Sequence, residues 1–224
     1  MAVFVGRERE LAQLRRRLGE ADAGRGRAIF ITGEPGAGKS SLVARVLEEA
    51  SALTPTFRFV SATCSEQYGA GEPYQPFVEA FRSLVAPDER STSKWQNLRD
   101  IAAEVAPHWL GAIPVAGGVL SATLSTAAEL RRGGTAVAAP NEEAIFFQYT
   151  EMFFAAAAQT PIVLVLDDLH WADRASVSLL AHLARRIGNE RVLILGTYRP
   201  ADVDLSRHPI REARLELERY GVAE

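Results

Sequence analysis

The sequence predicts a three-layer α/β fold with a mostly parallel central sheet and helices on both faces, and three observations carry that prediction. Short apolar runs alternate with amphipathic stretches of helical period along the chain. Two runs, at 162–166 (IVLVL) and within 191–196 (RVLILG), are almost continuously apolar, as strands covered on both faces must be. A third run, AIFIT at 28–32, ends in a glycine-rich turn that opens directly into a helix.

Taken in order, residues 8–18 carry Leu11, Leu14 and Leu18 at helical spacing, and Gly24 and Gly26 end that helix before the strand at 28–32. Leu42, Val43, Val46 and Leu47 continue a helix from Lys39 to Ala50, and FRFVSA at 57–62 is the next strand. Helices are expected over 72–86 and 94–106, the latter through Leu98, Ile101 and Val105, within a variable, partly flexible insertion at 88–140. Its portion from 111 to 140 is rich in Gly, Ala, Ser and Thr and has no period. Asn141 caps a helix over 141–158 with acidic residues in its first turn, and Asp173 caps another over 174–187. A last helix is expected at 208–219, and the βα alternation implies right-handed crossovers.

A chain of 224 residues suits one domain spanning 1–224. With 25 basic against 28 acidic side chains and scattered arginines, it offers no broad basic face, which argues against direct nucleic-acid binding by this domain. One cysteine, Cys64, excludes an internal disulfide. No segment has the apolar length of a signal peptide core or a membrane span, so a cytoplasmic, reducing location is expected.

Gly33, Glu34, Pro35, Gly36, Ala37, Gly38, Lys39 and Ser40 satisfy G-x-x-x-x-G-K-[ST], and Ser41 follows. The glycines permit a backbone turn that points successive N–H groups at an anion, above the positive end of the following helix. Lys39 is expected to reach the β- and γ-phosphates of ATP or ADP, and the Ser40 hydroxyl to bind Mg²⁺. The apolar run at 162–166 ends in Asp167 and Asp168, at the sheet edge where open α/β folds bind ligands. Asp167 would hold Mg²⁺ and Asp168 would orient or deprotonate an attacking water; capping of the next segment is the simpler alternative. Arg199, after the strand at 191–196, is placed to meet the γ-phosphate, unless it is an ordinary exposed loop arginine.

Together these segments resemble the signal-transduction ATPases with numerous domains, the STAND class of AAA-like P-loop ATPases. The matching strings are FVGRERE at 4–10, GEPGAGKS at 33–40, DDLHWAD at 167–173 and GTYR at 196–199. The resemblance implies that Val5, Gly6 and Arg7 lie against the adenine or ribose, although Arg7 and Glu8 also suit a helix start. It implies that 196–199 is the sensor segment. His170 and Trp171 also suit simple packing of the loop after the strand, and for His170 a structural or coupling role is expected rather than a catalytic one. The resemblance further implies a nucleotide-operated, slowly hydrolysing switch within a signalling or transcription regulator, one that self-associates or works with C-terminal domains.

In that family order the fifth sheet strand follows the helix at 208–219, where no apolar run remains. The fifth strand and the lid are therefore expected to be lacking, with the strand at 28–32 left at an edge or paired by another chain. Three rivals stay open: a replication-initiator-like AAA ATPase, a non-catalytic nucleotide-bound scaffold and a small-molecule kinase.

Overall fold

Four strands, β1 (Arg27–Thr32), β2 (Arg58–Thr63), β3 (Ile162–Asp167) and β4 (Val192–Tyr198), form one parallel sheet in the order β1-β4-β3-β2. The computed structural model describes residues 6–53, 57–65, 73–85 and 141–224. The helix expected at 94–106 and the insertion at 88–140 lie wholly outside them. In register, Ile29 stands beside Leu195, and Leu195 beside Val165.

Strand side chains alternate between faces, and the two buried clusters divide accordingly. Ile29, Ile31, Val163, Val165, Leu193 and Leu195 meet Leu11, Leu14 and Leu18 of α1 (Glu8–Asp22) and Leu42, Val43 and Val46 of α2 (Lys39–Leu53). Ala28, Phe30, Val60, Leu164, Leu166 and Ile194 share the opposite face with four helices: α3 (Gln75–Val85), α4 (Glu142–Gln159), α5 (Arg174–Arg186) and α7 (Ile210–Arg219). Burying each large aliphatic side chain contributes roughly 1.5–3 kcal/mol. The middle strands are therefore apolar until their carboxyl ends, where polar residues begin.

The helix starts follow local chemistry. Asn141 Oδ1 accepts the Ala144 N–H at 2.8 Å, and Asp173 Oδ1 accepts the Ser176 N–H at 2.9 Å, each cap contributing about 1 kcal/mol. Between β4 and α7 lies a short helix that the sequence pattern does not announce, α6 (Pro200–Ser206), with proline in its first turn.

β1 occupies the flank of the four-stranded sheet, as expected, but that flank is not bare. Val222 O accepts the Ala28 N–H at 2.9 Å, the Glu224 N–H donates to Ala28 O at 3.1 Å, and Phe30 N–H donates to Glu224 O at 2.8 Å. Residues 222–224 thus lie parallel to β1 and pair with it. Among the described residues the sheet has four strands with β1 at its edge, as expected, and the tail adds an isolated bridge from Ala28 to Ala223 rather than a fifth strand. The Glu224 carboxylate also takes the Arg17 guanidinium, which bonds Glu20 at 2.6 Å, tying the tail to α1.

Candidate functional site

The loop after β1 is shaped by two glycines in the left-handed region, Gly36 (φ 76°) and Gly38 (φ 77°), which side-chain-bearing residues rarely adopt. Gly38 O accepts the Leu42 N–H at 2.9 Å, so the loop runs without a break into α2. The first N–H groups of α2 have no partner within the helix and form an anion-favouring end. Lys39 is buried, and its ammonium is satisfied by the loop: Nζ donates to Gly33 O at 2.9 Å and to Glu34 O at 3.2 Å. Arg7 donates from its guanidinium to Ala37 O, bracing the loop from the other side.

Asp167, at the end of β3, joins this loop to the sheet. Its Oδ2 accepts the Ser40 hydroxyl at 2.9 Å and its Oδ1 accepts the hydroxyl of Thr197. Thr197 lies one residue from the end of β4, is fully buried, and its Oγ1 also accepts the Asp168 N–H at 3.0 Å. Ser40 and Asp167 present hard oxygen donors of the kind Mg²⁺ prefers. Among the described residues no group of three or more His, Cys, Asp or Glu is arranged to hold a metal ion.

Asp168 takes the left-handed conformation (φ 56°, ψ 45°), which aspartate tolerates better than most residues. The turn Leu169–Trp171 follows. It can lie close against β4 because residue 196 is glycine: a Cβ there would fall 2.6 Å from Leu169 Cδ1. The His170 side chain is fully buried, with Nδ1 3.8 Å from Asp168 Oδ1 and Nε2 3.6 Å from Asp202 Oδ2. Asp202 in turn lies 3.6 Å from Arg199 Nη1. Burial lowers the His170 pKa below its ordinary value, and the Asp168 carboxylate opposes that shift.

The structure therefore brings Lys39, Ser40, Asp167 and Asp168 to one end of the sheet, with Arg199 following β4 at the same end. Arg7 is placed on the loop backbone. Gly6 precedes it, exposed, with φ 92°, and Ser41 is exposed in the first turn of α2. Val5 lies outside the described residues. Thr197 and Asp202 were not singled out from sequence. The signal for Thr197 is a hydroxyl at the polar end of an otherwise apolar buried strand, next to the strand that ends in Asp167; nothing in the sequence marks Asp202.

A parallel sheet with a glycine-rich loop after its flanking strand, and an acid ending a neighbouring strand but one, defines a P-loop α/β domain. The AAA ATPase domain family matches residues 3–195, and the chain belongs to that family. A search of curated proteins finds no match. Among solved structures the chain is similar to the ORC2 protein of Aeropyrum pernix in its ADPNP–ADP complexes, with 16% identity and a TM-score of 0.46. That match covers 98% of this chain and 46% of the other, so the chain spans just under half of that protein's length. It is also similar to Drosophila ORC bound to DNA, with 11% identity and a TM-score of 0.33 over 89% of this chain and 83% of that one. Among the described residues no helix is long and apolar enough to cross a membrane.

Proposed function

We propose that residues 1–224 form an ATP-binding switch domain of the STAND class that slowly hydrolyses ATP to ADP and phosphate within a signalling or transcription regulator. The observation that carries this reading is the hydrogen-bonded line Ser40–Asp167–Thr197, which links the phosphate-loop helix to two strand ends and leaves Asp168 beside it.

In this reading Lys39 exchanges its loop carbonyls for β- and γ-phosphate oxygens, and the amides of Gly36 to Ser41 hold the phosphate chain. Mg²⁺, when bound by Ser40 and Asp167, neutralises phosphate charge. Asp168 positions the attacking water and accepts its proton, while Arg199 stabilises charge developing on the γ-phosphate. Val5, Gly6 and Arg7 flank the nucleoside. The DDLHWAD string supports the STAND assignment. Self-association or further domains of the same protein would couple the nucleotide state to output.

Calorimetry and phosphate release test this together. Lys39→Ala should abolish tight ATP binding with the fold intact, and Asp168→Asn should bind ATP but release less phosphate than wild type. Unchanged affinity in the first variant overturns the binding site; equal release in wild type and the second overturns the catalytic role and leaves a nucleotide-bound scaffold.

A further inference from the structure

The imidazole of His170 is the most exacting group near the site that the proposed chemistry leaves unused. Its side chain is fully buried, yet among the described residues neither ring nitrogen has a hydrogen-bond partner. Each nitrogen instead stands just beyond bonding distance of a different carboxylate: Nδ1 is 3.8 Å from Asp168, and Nε2 is 3.6 Å from Asp202. A buried polar ring without partners is costly, so modest closure on either side gains a bond. Burial also favours the uncharged ring, which carries one N–H and can donate to only one carboxylate at a time.

We infer that His170 is a positioning residue that links Arg199, through Asp202, to Asp168, and so couples recognition of the γ-phosphate to release of the water-orienting carboxylate. The inference rests on the proposed ATPase reading. With ADP, Arg199 stays on Asp202, which weakens Asp202 as an acceptor, and the His170 Nδ1–H donates to Asp168 and holds it. A γ-phosphate draws Arg199 away and opens a path for water. Asp202 then becomes the stronger acceptor, the entering water takes the Nδ1 proton and returns one to Nε2, and the Nε2–H turns to Asp202. The net charge is unchanged and Asp168 is left free to orient water. The partly exposed Trp171 packs beside the imidazole, its ring centroid 5.2 Å from that of His170. The left-handed Asp168 and the close seat of Leu169 on Gly196 fix the turn on which the ring is carried.

The test uses the 224-residue chain with ¹⁵N-labelled histidine, comparing imidazole nitrogen shifts with Mg-ADP and with a non-hydrolysable Mg-ATP analogue. His170 should be the Nδ1–H tautomer with ADP and the Nε2–H tautomer with the analogue, and the change should vanish in Arg199→Ala and in Asp202→Asn. His170→Phe, which keeps the buried ring, should hold the KM for ATP within about twofold and lower kcat by up to roughly a hundredfold, the cost of an ångström-scale misplacement. One His170 tautomer in both nucleotide states, or a wild-type kcat in His170→Phe, overturns the inference. A wild-type chain that binds neither nucleotide overturns the ATPase reading instead. If His170→Phe fails to fold, the tautomer comparison in wild type decides alone.

Discussion

Thr197→Val isolates the contribution of one hydroxyl at nearly constant shape. In the wild type that oxygen donates to Asp167 and accepts the Asp168 N–H at 3.0 Å, in a side chain with no solvent exposure. A bond to a carboxylate contributes roughly 1.5–3 kcal/mol and one from a neutral amide about 1 kcal/mol. Partial exposure of Asp167 lets water replace some of the first, and the added methyl regains up to about 0.8 kcal/mol. The expected loss is about 2 kcal/mol. For a domain of this size that lowers Tm by roughly 4–8 °C. Thermal unfolding followed by circular dichroism measures it, with phosphate release read in parallel, because an Asp167 held by Ser40 alone is less well aimed. Thr197→Ser keeps the hydroxyl and should recover most of both. A Thr197→Val protein with wild-type Tm and turnover would refute the claim that this hydroxyl aligns the two acids.

Burial, with Asp173, Asp168, Glu79 and Asp167 adding to it, pushes the Cys64 thiol up to about 12. At pH 8 its thiolate fraction is then on the order of 10⁻⁴, against roughly a quarter for an ordinary thiol, so iodoacetamide should label the native chain thousands of times more slowly than the urea-unfolded chain. Rapid native labelling would contradict the buried placement. Burial also lowers the pKa of His208, whose Nε2 meets Ala172 O at 2.8 Å while Nδ1 accepts the Ile210 N–H at 3.3 Å. The neutral ring is thus the folded form, and between its folded pKa and the unfolded value near 6.5 the unfolded chain binds more protons. The stability it contributes is present above about pH 6.5 and lost as pH falls, so the urea midpoint should drop between pH 7.5 and 5.5. The drop should be smaller in His208→Gln, and equal drops would remove His208 as a cause.

What was legible in the sequence is what a short window contains. IVLVL and VLILG announce buried parallel strands because five consecutive apolar or glycine residues suit a strand covered on both faces, and both are central in the sheet. Asn141 and Asp173 announce helix starts because a cap and its amide are three residues apart. The Thr197 bond to Asp167 spans 30 positions and depends on β3 and β4 pairing in one register. Asp202 is one acid among 28 until α6 turns it toward His170. Arg7 shows how the two scales compete: its string suits a nucleoside contact, while the structure gives its guanidinium to Ala37 O.

Lys39 raises the sharpest question about whether the loop is built for an anion or for itself. A buried ammonium must have acceptors, and here the carbonyls of Gly33 and Glu34 provide them. If those bonds held the loop together, removing the amine would loosen it. The geometry argues otherwise. Gly36 and Gly38 fix the turn through their own backbone, Ala37 N–H bonds Glu34 O at 3.1 Å, and Glu34 is exposed, so water can replace the amine at that carbonyl. Lys39→Met keeps the buried stem and discards the charge, and should change unfolding free energy by less than about 1 kcal/mol, because the carbonyls it releases are rehydrated rather than left unpaired. ATP affinity should nonetheless collapse in the same protein, since only a cation gains by trading neutral carbonyls for phosphate oxygens. A Lys39→Met chain that unfolds readily in urea would make this lysine a structural brace, and its position in the glycine loop would no longer argue for a phosphate.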